Sequence, residues 1–308
     1  MGESSRTVFS EISEMMNLEA VCLGYAVPRR GFAAEVHSAF PSAANLRLFR
    51  RRLLLTLVTI GEADLPQGIR VDTPEGFSFE ELRQGERVTC RNGILHCEQA
   101  PLTIDLRPAR RWKCDLPALT ADMKEPTSLA AWQLVKNMLE ERQFTAGNWL
   151  TAGFVAATHR ISERVPELVE ATRRYDLDAA VAAFVALIGL GPGLTPGGDD
   201  FLVGFLAGLW CAAGGRTERA QFLSGLGKAV IHLSRRTNDI SRTYLVHAAR
   251  GQVSSCLVAL ANAICRGDRS DHLIETAVAA LQVGHSSGME SVSGLLQGLS
   301  VWSGGLTH

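Results

Sequence analysis

Set against itself with an offset of ninety residues, the chain repeats. Gly198-Asp199-Asp200-Phe201-Leu202-Val203-Gly204-Phe205-Leu206-Ala207-Gly208-Leu209 falls on Gly288-Met289-Glu290-Ser291-Val292-Ser293-Gly294-Leu295-Leu296-Gln297-Gly298-Leu299. Three glycines coincide, and so does one acid, Asp200 against Glu290. Each copy ends an apolar helical run, passes through a polar glycine-bearing loop (GPGLTPG, VGHSSG), presents an acid and enters a helix. Glycines four apart share a helix face, so Gly204 with Gly208, and Gly294 with Gly298, let two helix backbones approach closely. The repeat therefore predicts two helices crossing at their glycines, with both N-terminal loops facing one pocket.

Such a pocket has a definite chemistry. Gly191, Gly193, Gly197 and Gly198 in the first loop, and Gly288 in the second, allow a ligand to approach the backbone closely. A helix N-terminus offers unpaired N–H donors and the positive end of its dipole to a phosphate or carboxylate. Thr195, Ser286 and Ser287 place hydroxyls in the same loops. Asp199, Asp200 and Glu290 open the two helices. They hold a divalent cation, orient the polar groups of a ligand, or simply cap; as metal ligands Asp199 and Asp200 make Mg²⁺ the candidate cofactor. His285, beside two serines, is the candidate acid or base.

Between the copies, SRRTNDISRTYLVHAARG spaces Thr237 and Ser241 to share a helix face, where they line a polar pocket unless Thr237 caps the helix. The first loop is not a nucleotide-binding P-loop, because no Lys-Ser or Lys-Thr follows its last glycine, and no Gly-x-Ser-x-Gly elbow marks a nucleophile.

Elsewhere the chain divides by periodicity. From Leu18 to Trp112 short apolar or alternating runs (AVCLGYAV, RLLLTLVTI, ERVTCRNGILHC, LTIDL) are broken by turn residues, and RNG between VTC and ILHC predicts a hairpin. From Ser128 onward the period is helical, with alanine and leucine dominant. The expected fold is α+β: a β-rich, barrel- or sandwich-like domain over 1–118, then a larger all-helical domain over 119–308 carrying the helix-loop-helix repeat.

Composition narrows the function classes. A formal net charge of -1 leaves no basic footprint for nucleic acid or an anionic membrane surface. The apolar runs are interrupted by glycine and proline before the ~20 residues a membrane span needs. The opening MGESSRTVFSEISEMM lacks the apolar core of a signal peptide, so a cytoplasmic protein is expected. Seven cysteines without a CxxC knuckle read as reduced core thiols.

At GLGPGLTPGGDDFLVGFLAGL, TNDISRTYLVHAARG and GHSSGMESVSGLLQG the chain resembles a bacterial family long catalogued as a domain of unknown function, whose members accompany allantoin and purine-degradation genes. The family pattern has a GLGPGLTPSGDD-like loop, a T-x-x-x-S helix and a GH-[ST]-SG-x-[DE] loop, met here in that order. The chain departs from it at Gly197, usually serine, and at Glu290, where aspartate is commoner. The resemblance implies a subunit of an oxamate carbamoyltransferase, which converts oxalurate and phosphate to oxamate and carbamoyl phosphate. It also implies partner subunits, one of them similar to an acyl-CoA synthetase. A small carboxylate or phosphate substrate suits the paired helix N-termini, and a non-catalytic anion-binding or scaffold subunit is the alternative.

Overall fold

The computed structural model describes residues 15–49, 53–116, 119–147, 151–268, 271–284 and 286–303. The chain forms two compact units, 1–112 and 113–308.

The first unit is a β-barrel, the closed form of the barrel-or-sandwich expectation. Its strands are β1 (Met16–Gly24), β2 (Phe32–Ala39), β3 (Ala43–Leu48), β4 (Leu54–Val58), β5 (Gly68–Asp72), β6 (Arg87–Arg91), β7 (Ile94–Cys97), β8 (Leu102–Asp105) and β9 (Arg110–Trp112). Eight run in the order β5-β4-β3-β2-β6-β7-β8-β1, and β1 closes the ring by pairing antiparallel with β5. β1 serves two partners on its other edge: Met16–Glu19 runs parallel to β8 and Cys22–Gly24 parallel to β9. Closure removes the exposed edges that an open sheet would present. The interior is filled by residues at alternating, inward-facing positions along the strands, among them Val36, Leu46, Leu57, Ile69, Val71, Val88, Leu95 and Ile104, all essentially inaccessible.

The expected hairpin is present. β6 and β7 are joined by Asn92-Gly93, with φ of 51° and 80°, the doubly left-handed turn that matches the twist of a two-residue hairpin. Glu86, just before β6, is buried and accepts the amides of Gln99 (2.8 Å), Ala100 (2.7 Å) and Arg83 (3.2 Å). Replacing it by alanine leaves three donors without their acceptor, so Glu86→Ala should cost about 2–4 kcal/mol in chemical denaturation. A loss within ~0.5 kcal/mol, the usual range for neutral surface changes, would contradict this bonding.

The second unit contains, among the described residues, nine helices: α1 (Pro126–Ala146), α2 (Ala152–Arg173), α3 (Leu177–Leu187), α4 (Gly197–Ala212), α5 (Thr217–Leu233), α6 (Asp239–Ala248), α7 (Ser255–Arg266), α8 (Asp271–Leu281) and α9 (Ser287–Ser300). No helix among the described residues is long and apolar enough to cross a membrane. α4 is buried on almost every side, which its apolar composition allows and which makes it the central helix of the unit.

α4 and α9 are the two copies of the repeat, and they pack glycine face to glycine face. A methyl group built on Gly204 would overlap the Ser291 carbonyl, and one on Gly294 the Phe201 carbonyl. Gly298 faces Phe205, and Gly208 faces Leu295, in the same way. Each backbone occupies the space a side chain would need on the other. Burial accounts for the cysteines as well: Cys22, Cys90, Cys97, Cys114 and Cys211 are all buried free thiols.

Candidate functional site

Because α4 and α9 cross at their glycines, their N-terminal loops meet. Thr195 Oγ1 and Ser287 Oγ lie 2.7 Å apart, one from each loop. The first loop turns through Gly191 and Gly193, whose φ values of 119° and 96° exclude most side-chain-bearing residues. It is pinned from three directions. The Gly198 amide donates to Leu190 O (2.8 Å), the Asn238 side chain donates to Leu194 O (3.0 Å), and the Gly189 amide donates to Asp199 Oδ1 (2.8 Å).

The three acids of the repeat have three different environments. Asp199 is buried, and its second oxygen accepts from the Thr237 hydroxyl at 2.6 Å. Burial pushes its carboxyl up, against the hydrogen bonds from Thr237 and Gly189 and the nearby Ser241 hydroxyl. With both oxygens engaged, Asp199 straps the glycine loop to the start of α6. Asn238 caps that helix by accepting from the amides of Ile240 and Ser241, while Thr237 reaches back to Asp199. Changing Thr237 to valine should destabilise the unit by about 1–2 kcal/mol, since it strips a partner from a buried carboxyl; an unchanged denaturation midpoint would refute the strap.

Asp200 carries a strongly perturbed carboxyl. Its tip is buried although part of the residue reaches the surface, and Oδ2 has no hydrogen-bond partner among the described residues. Burial pushes its pKa up to about 8; hydroxyls of Ser287 and Thr195 pull it down, and the charges of Asp199 and Glu290 push it further up. Glu290, the matching acid on α9, is buried and accepts from the Thr158 hydroxyl of α2 at 2.6 Å. Burial raises its pKa too, tempered by Thr158.

The glycines divide by role. Gly198 and Gly288 face backbone: a methyl group on either would overlap the carbonyl of Leu187 or Ala280. Helix packing accounts for both. Several amides at the helix starts are already bonded, those of Asp199 and Asp200 to Pro196 O, Gly288 to Val283 O and Glu290 to Ser286 O. The amides of Gly193, Thr195 and Gly197 carry no hydrogen bond among the described residues. His285 lies outside the described residues.

As a magnesium site the cluster fits poorly. Mg²⁺ asks for ionised oxygen ligands in octahedral array, whereas Asp199 has both oxygens engaged and Asp200 holds its proton near neutrality. Among the described residues no three His, Cys, Asp or Glu side chains converge as metal ligands.

A closed β-barrel unit, followed in sequence by a helical unit whose two central helices meet through glycines and join their N-terminal loops, defines a two-unit α+β protein with a polar, acid-bearing loop site. Residues 187–299, which span both copies of the repeat, match the family model described as oxamate carbamoyltransferase subunit AllH, and residues 17–111, the barrel, match the AllH family N-terminal domain. The chain belongs to this family, whose description assigns it a subunit's role in a carbamoyltransferase. No solved structure matches the chain.

Proposed function

We propose that the chain binds the small anionic reactants of oxamate carbamoyltransferase, oxamate or oxalurate and phosphate or carbamoyl phosphate, where the α4 and α9 loops join. The observation that carries this reading is the 2.7 Å contact between Thr195 and Ser287 beside the buried carboxyl of Asp200. Two hydroxyls, the free amides of Gly193, Thr195 and Gly197 and the positive ends of two helix dipoles point to a negatively charged ligand.

Three acids so close together would repel an anion if all were charged. Asp200, with a value of about 8, is protonated at neutral pH and acts as a hydrogen-bond donor. In the transfer step the hydroxyls and amides stabilise charge developing on carboxylate or phosphoryl oxygens. Asp200 supplies a proton-bearing group beside them.

The test uses the assembled enzyme and measures oxamate-dependent release of phosphate from carbamoyl phosphate. Thr195→Val combined with Ser287→Ala should lower turnover about a hundredfold, the scale associated with loss of preorganised donors. Wild-type turnover would favour the second reading, a scaffold subunit, which has its own support in the packing roles of Gly198, Gly204, Gly288 and Gly294.

A further inference from the structure

A cavity of about 660 Å³ opens between α1, α2, α4 and α9, with Glu290 in its wall. Thr195, Asp199 and Asp200 are absent from its walls. The walls are mainly apolar, with Val155, Ile161, Val165, Phe201 and Met289 contributing, and the volume falls in the range of small-molecule sites.

One buried polar group faces this apolar space. Glu290 is 4% exposed and lines the cavity. Its Oε1 accepts from Thr158, and Oε2 has no partner among the described residues. Among the described residues no lysine or arginine stands in the wall. His159 does, but at an exposed position 3.4 Å from Glu163.

These features select a ligand by its head group. A carboxylate or phosphate would meet an acid with no cation to neutralise the pair, and a wholly apolar molecule would leave Oε2 desolvated and unbonded. A primary amide or urea head offers an N–H to an ionised Oε2 and its carbonyl oxygen to a protonated one, so it matches the carboxyl in either state. We propose that this cavity binds an uncharged molecule with a primary amide or urea head on Glu290 and an apolar body lying along α1 and α2. Glu290 borders both sites, and the cavity proposal rests on its Oε2 and on the apolar walls rather than on anion binding at the loops.

The full chain is titrated calorimetrically with hexanamide, hexanoate and hexylamine, which share an alkyl body and differ in the head group. Hexanamide should bind, and bind roughly tenfold or more tightly than either ion, the scale of one buried hydrogen bond. Glu290→Met should weaken hexanamide by a similar factor. Ser293→Phe, at a half-buried wall position, narrows the cavity while leaving the carboxyl in place and should also weaken binding, which keeps the proposal testable if Glu290→Met does not fold. Absence of hexanamide binding, equal or tighter binding of hexanoate or hexylamine, or unchanged affinity in the folded variants would overturn it.

Discussion

Gly294→Ala will unfold the helical unit at a denaturant concentration well below that needed for the wild type. The added methyl has no space: it overlaps the Phe201 carbonyl, a backbone atom within α4 that cannot move without shifting the helix. Overpacking of a well-filled core costs about 1–3 kcal/mol when side chains can adjust, and here the obstacle is main chain, so a loss of about 3 kcal/mol or more is expected. The same argument applies to Gly204 against the Ser291 carbonyl. Gly153, on the exposed first turn of α2, is the control. A methyl there meets nothing closer than the Thr151 hydroxyl at 3.9 Å, and alanine should stabilise the helix by about 0.5 kcal/mol. Urea denaturation followed by far-UV circular dichroism separates the two. A Gly294→Ala protein as stable as the wild type would mean that α4 and α9 are not in backbone contact.

The second large effect is a dependence of stability on pH centred on Asp200. Its folded pKa, about 8, lies above the ordinary aspartate value of 3.8, so between these values the folded state binds more protons than the unfolded state. Stability from this group is therefore fully present below about 3.8, falls as pH rises and is lost once pH passes about 8. Each bound proton contributes a slope of about 1.4 kcal/mol per pH unit. Burial of Asp199 and Glu290 acts in the same direction.

His247 acts oppositely. Burial, helped by the charge of Arg250, pushes its imidazole down to about 4, so its contribution is present above 6.5 and is lost as pH falls toward 4. Between pH 6.5 and 8 the Asp200 effect stands clear of the histidine. The thermal midpoint of the wild type should drop steadily over that interval, and Asp200→Asn, which cannot ionise, should flatten the drop and be the more stable protein at pH 8.5. Parallel curves for the two proteins would show that Asp200 is not buried as described.

Much of this arrangement was legible in the sequence because close backbone contact demands glycine, and glycine at a four-residue spacing in two matching helices is visible without coordinates. The pairing of α4 with α9 and the meeting of their loops follow from that pattern. The purpose of individual glycines does not. Gly198 and Gly288 sit in polar loops and read as places for a ligand to approach, yet what approaches them is the backbone of Leu187 and Ala280. Local sequence cannot distinguish a ligand from a neighbouring turn.

Side-chain partners drawn from distant elements were also out of reach. Thr158, which bonds Glu290, lies 132 residues away in a helix whose apolar pattern gives its hydroxyl no distinction. The two oxygens of Asp199 offered three roles in the sequence; only the positions of Gly189 and Thr237 show that they are already engaged. In the barrel, alternation and the Asn-Gly turn reveal strands and one hairpin. Closure through β1 and β5 depends on the register of strands nearly fifty residues apart, which no local pattern encodes. Helical periodicity likewise left His247 and His159 alike, though the first is buried and the second exposed.

The most direct test of the proposed anion site is calorimetric titration of the full chain with oxamate from pH 6.5 to 9.5, in the wild type and in Asp200→Asn. Oxamate keeps a constant charge across this range, so any change in affinity reports the protein. If the loops of α4 and α9 bind the anion beside a protonated Asp200, wild-type affinity holds below about 8 and then falls roughly tenfold per pH unit, while the asparagine variant binds with little dependence on pH. Oxamate that fails to bind at any pH, or binds the wild type equally at pH 7 and 9.5, would contradict the account.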